Sequence, residues 1–162
     1  MPLELKTTAQ ASPSFSGTNN QEANVDEADV FKTDGQYIYS VSGTVLSIIR
    51  AHPYPQARIV STISFTSTPS SLFIDGDYLA VFGTGYDSDQ PYYYGGAPGG
   101  VSSKMAYFYF RPPHTWVKVY NVCDKSNPKL IKTYKFEGYY FDGRKAENGF
   151  VYLLSSLNCN GR

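Results

Sequence analysis

The residues with the most chemical potential sit early in the chain. Asp26, Glu27 and Asp29 place three carboxylates within four positions, and Asp34 follows closely. Hard oxygen donors of this kind suit Ca²⁺, yet the spacing lacks the alternation of an EF-type loop. The reading preferred from the residues is structural: a polar strand crossing whose carboxylates accept backbone N–H bonds. Asp87 and Asp89 form a second, D-x-D pair that offers a cation little by itself. Ca²⁺ is thus the sole cofactor candidate, with Asp26, Asp29, Asp87 and Asp89 as its weak ligands, and the expectation is no cofactor.

Other chemistries find less support. His52 and His114 are the only histidines, and neither has cysteine or carboxylate neighbours at zinc-site spacing. There is no G-x-S-x-G elbow, Walker sequence or dinucleotide fingerprint. "GGAPGG" is followed by no helix on which a phosphate could sit. No catalytic residue is assigned. Cys123 and Cys159 are the two cysteines, either bonded across neighbouring units or free.

A different kind of chemistry lies in "YDSDQPYYYGGAPGGVSSKMAYFYFRPPHTW". Its tyrosines Tyr86, Tyr92, Tyr93, Tyr94, Tyr107 and Tyr109 supply rings with a polar tip, the surface that stacks on sugars, peptides or partner proteins. A loop of this length without regular structure is usually functional or disordered. These six residues are the candidate binding site.

The elements that must carry these groups are short strands. Aromatics make up 16% of the chain, with 15 Tyr and 10 Phe, and helical periodicity is nearly absent. Formal net charge is +0, which removes the basic excess of a nucleic-acid binder. No apolar run is long enough to span a bilayer, and the polar lead-in 1–24 carries no h-region of a signal peptide.

From residue 25 onward β-branched and aromatic runs alternate with turn signals. The first set is Asp29–Thr33, Gln36–Val41, Thr44–Arg50 and Ala57–Phe65, with hairpin signals at Asp34-Gly35 and Ser42-Gly43. The second is Ser71–Asp75, Asp77–Phe82, Thr115–Val122 and Lys129–Phe136. The third is Tyr139–Arg144 and Phe150–Ser155, turning near Glu147-Asn148-Gly149. "FKTDGQYIYSVSG" aligns with "LFIDGDYLAVFGT", and more loosely with "FDGRKAENGFVYLLSS". Asp34-Gly35 returns at Asp75-Gly76, a spacing of ~40–45 residues that belongs to β-propeller blades.

The predicted fold is therefore all-β: a propeller segment of about two and a half four-stranded antiparallel blades. Blade one covers 28–66, blade two 69–137 with an insertion at 84–114, and a partial blade three 138–158, after a disordered or extended lead-in over 1–24. Such an arc leaves its outer sheet faces uncovered. The expectation is a fragment of a larger propeller, with the remaining blades coming from a longer chain or from partner subunits.

The motif "GTNNQEANVDEADVFKTDGQYIYSVSG" resembles the signature of a family of secreted archaeal and bacterial β-propeller proteins, distantly WD40-like. Thr18, Asn19, Gln21, Val25 to Asp29, Lys32 to Gly35 and Tyr37 to Tyr39 fit its pattern. "VKVYNVCDKSNPKLIKTYKFEGYY" resembles a second family segment, from which Cys123 and Lys125 depart. The resemblance implies an extracellular or cell-surface propeller and brings no catalytic residues with it. The functional expectation is a non-catalytic binding or assembly module with a protein or glycan partner. Its rival is an extracellular enzyme acting on carbohydrate through an axial site that further blades complete.

Overall fold

The computed structural model describes residues 25–86, 112–146 and 149–157. Among them are the strands β1 (Val25–Glu27), β2 (Phe31–Thr33), β3 (Tyr37–Ser42), β4 (Val45–Arg50), β5 (Arg58–Ser64) and β6 (Pro69–Asp75). Then come β7 (Tyr78–Tyr86), β8 (Pro113–Asn121), β9 (Lys129–Glu137), β10 (Tyr139–Ala146) and β11 (Val151–Ser156), and one 3-10 turn at Tyr54–Gln56. They form three antiparallel sheets, β2-β3-β4-β5, β6-β7-β8-β9 and β1-β10-β11. The first two are meanders in chain order, the four-stranded repeat expected of propeller blades.

Local chemistry sets the turns. The Asp34 carboxylate accepts the N–H groups of Gln36 at 3.0 Å and Tyr37 at 2.7 Å, so the side chain itself closes the β2–β3 turn. In the next hairpins Ser42 pairs with Val45 and Asp75 with Tyr78, leaving Gly43-Thr44 and Gly76-Asp77 as two-residue turns. Gly43 and Gly76 adopt φ of 57° and 55°, a left-handed conformation that residues with a Cβ resist.

Strand parity explains how the sheets stack. On β7, Leu79 and Val81 face the first sheet, where they join Tyr39, Leu46, Ile48 and Phe65 in a buried cluster. Phe82, next along the same strand, points the other way and packs with Phe73 and Val117, against which Tyr140 and Leu153 of the third sheet lie. β8 divides in the same manner, Trp116 and Tyr120 to one side and Val117 to the other. Strands β6 and β7 of the middle sheet are thus buried on both faces, whereas β9 at its edge is exposed along its length. That is why β6 and β7 read as nearly continuous apolar runs rather than as alternation. Burying one such aliphatic side chain is worth ~2–5 kcal/mol by truncation to Ala.

Three features go beyond the sequence reading. β7 and β8 stay paired out to Tyr86↔Pro113, so a regular ribbon extends into the segment assigned to the insertion. Asp142-Gly143 lies inside β10, as the run Tyr139–Arg144 leads one to expect, but beside a register shift, and its glycine admits Tyr140, Phe73 and Ala28 at close range. Last, Val25–Glu27 leaves the first sheet altogether and pairs with β10, in register Val25↔Ala146, Asp26↔Lys145 and Glu27↔Arg144.

Candidate functional site

The acidic segment is a crossing of three sheets. Past β1, Ala28 N–H donates to Gly143 O at 3.3 Å. Asp29 and Leu72 then exchange two backbone bonds, of 2.7 and 3.4 Å, before the chain enters β2. Asp26 Oδ1 meets Lys32 Nζ at 2.6 Å, and this ammonium is buried and lies 5.7 Å from the centroid of Phe73. Glu27 is ion-paired with Arg144, whose other nitrogen is 3.1 Å from Asp142. Asp29 Oδ1 accepts the N–H of Val30 at 2.6 Å.

The carboxylates singled out for Ca²⁺ therefore have cations or backbone donors as neighbours, and among the described residues no three acidic, His or Cys side chains converge as a metal site. Asp87 and Asp89 lie outside the described residues.

The two Asp-containing turns meet a residue that the sequence marked only as a departure from the family pattern. Lys125, in the β8–β9 turn, puts Nζ 3.8 Å from Asp34 and 3.9 Å from Asp77. The same ammonium stands 5.9 and 5.8 Å from the rings of Tyr37 and Tyr39. Its carbonyl accepts Ser61 Oγ at 2.6 Å, so the turn of the second sheet is fastened to the first. Tyr39 donates its hydroxyl to Asp34 at 2.8 Å. Burial first, then the Asp34 hydrogen bond and charge, push this phenol far above the ordinary range. The seam between the second and third sheets uses Tyr140, which accepts Ser71 Oγ at 2.6 Å and donates its N–H to Thr84 at 3.1 Å. Both arrangements are connective.

The tyrosine-rich segment is anchored at a defined corner. Tyr86 ends β7, is exposed, and faces Tyr139 of β10 edge-on with ring centroids 6.3 Å apart. Phe141, further along β10, is 73% exposed. Tyr92, Tyr93, Tyr94, Tyr107 and Tyr109 lie outside the described residues. Tyr86 is among the residues the sequence singles out and Tyr139 is not, because a ring partner from the next sheet has no signal within one strand. His114 lies in β8 opposite Gly85, and His52 in the exposed loop before the 3-10 turn. Cys123 is an exposed free thiol, and Cys159 lies outside the described residues.

Similarity to known proteins agrees with this architecture. The family described as "Beta propeller domain" matches residues 15–160. A relative, "Uncharacterized protein MJ1554" of Methanocaldococcus jannaschii, is 28% identical over 150 residues, covering 90% of this chain. The chain spans 18% of that relative's length. No solved structure matches at a comparable level.

Proposed function

The chain belongs to the β-propeller domain family, and from that premise we propose that it is a non-catalytic binding or assembly module of an extracellular or surface-exposed propeller. One observation carries the reading: an exposed Tyr86–Tyr139 corner stands at the base of the tyrosine-rich segment, at the end of a paired two-stranded ribbon. Rings fixed at a sheet junction present amphipathic area at little entropic cost, which favours a glycan or peptide ligand. Tyr92, Tyr93, Tyr94, Tyr107 and Tyr109, which fall in the sequence between the two strands and lie outside the described residues, are proposed as further ligand-contacting rings. Completing blades come from a longer polypeptide or partner subunits. No helix among the described residues is long and apolar enough to cross a bilayer.

Glycan and peptide arrays probed with the chain and with its Tyr86→Ala and Tyr92–Tyr94→Ala variants test the proposal. A specific signal that both variants weaken is expected. A signal indifferent to all four tyrosines, or a turnover abolished by Asp29→Asn or Asp34→Asn, overturns it.

A further inference from the structure

β1 is a three-residue strand, yet it does work for a sheet formed more than a hundred residues later. Without it the third sheet is the hairpin β10–β11 alone, and a two-stranded hairpin is marginally stable in water. The packing beneath that hairpin is thin. Phe73, Phe82 and Val117 are its buried residues, against the much larger cluster between the first two sheets. Most of β11 is exposed, including Val151, Tyr152 and Leu154.

The seat for the early segment, in contrast, is specifically shaped. Arg144 engages Glu27, Lys32 engages Asp26, and Leu72 engages the Asp29 backbone. Between them Ala28 packs beside Phe73 over Gly143, where an added Cβ would lie 3.5 Å from the alanine methyl. Each position reads one feature: an acid, an acid, a small residue, a main chain.

We propose that residues 25–29 are a clasp that locks the third sheet to the other two, and that its release loosens β10 and β11 while the first two sheets stay folded. The device is reciprocal: the third sheet forms its seat and is completed by it. Since β10 also carries Tyr139, an open clasp frees one wall of the Tyr86–Tyr139 corner. The inference rests on strand pairing and charge, independently of whether that corner binds a ligand.

Residue-resolved hydrogen exchange on the full chain tests it, comparing Glu27→Arg, Arg144→Glu and the double exchange, with Ala28→Leu as a steric variant. A half-exposed ion pair is worth up to ~1 kcal/mol, so roughly fivefold faster exchange over 139–156 is expected in each charge variant. Amides of β3, β4, β7 and β8 keep their protection, and the double exchange restores part of it in β10 and β11, the remainder being lost because a glutamate at 144 faces Asp142. Ala28→Leu, which removes the space for the segment, accelerates the same amides more. Uniform acceleration across all three sheets, or unchanged exchange over 139–156 in both Glu27→Arg and Ala28→Leu, overturns the clasp.

Discussion

Gly83→Ala is the smallest change that tests whether the middle sheet is packed as described. Gly83 pairs with Trp116 across β7 and β8. A Cβ there would overlap Trp116 Cζ2 and come within 2.7 Å of Cε2 and 2.9 Å of Cη2. The indole has little room to give way. It stacks on Phe65 at 5.5 Å, donates Nε1–H to Ser67 at 2.9 Å, and is 6% exposed. Overpacking of a filled core costs ~1–3 kcal/mol. Losing the indole hydrogen bond adds about 1 kcal/mol. Together these give a destabilisation of about 2–4 kcal/mol. For a chain of this size each kcal/mol moves Tm by ~2–4 °C, so a fall of roughly 5–15 °C is expected. Trp116 is the chain's single tryptophan, so its emission reports directly on the displaced ring. Urea unfolding followed by that emission should show a lower midpoint at unchanged m and a red-shifted native spectrum. Thr62→Ala, an exposed change on β5, serves as the control and should stay within ~0.5 kcal/mol. A native-like spectrum and midpoint in Gly83→Ala would refute the packing argument.

The other predictions concern polar groups. Lys125→Met should cost about 1–2 kcal/mol, since it removes one ammonium from two carboxylates and two rings in a half-buried seam; a double-mutant cycle with Asp34→Asn should show positive coupling in chemical denaturation. Tyr39 is held protonated by the fold, so stability present below the ordinary phenol pKa of about 10 should drain away as pH rises above it. Denaturation midpoints between about pH 9 and 11.5 should fall, and less steeply in Tyr39→Phe. Tyr86→Ala removes an exposed ring and should leave the thermal midpoint within about 2 °C while lowering the array signal. Cys123 should be alkylated in the folded protein at a rate close to that of an unfolded reference peptide, read by mass spectrometry.

Much of the strand order is legible in the sequence because it is local. Asp34-Gly35 and Asp75-Gly76 announce hairpins through chemistry confined to four residues, and the runs on either side are the observed strands to within a few positions. Stacking is partly legible, since "SLFID" and "YLAVFG" are apolar at successive positions, as a sheet covered on both faces demands. What the residues do not disclose is partnership across sheets. Nothing near Val25 points to Ala146, nothing near Tyr86 points to Tyr139, and Lys125 stood out only by differing from a pattern. These contacts join positions far apart in sequence, and one chain carries no local signal of them. Asp142-Gly143 is an Asp-Gly pair inside a run read as a strand, and there the glycine serves close packing rather than a turn.

The central claim is that the second sheet is sandwiched between the other two, and proton–proton contacts across its faces test it most directly. Nuclear Overhauser spectra should connect the Leu79 and Val81 methyls to the Tyr39–Leu46–Ile48 cluster of the first sheet. They should also connect the Phe82 ring, one residue further on, to Tyr140 of the third sheet, whose centroid lies 5.6 Å away. Observing both sets from one strand establishes the blade arrangement. Contacts from one face alone, with Phe82 turned to water or Tyr140 packed elsewhere, would contradict it.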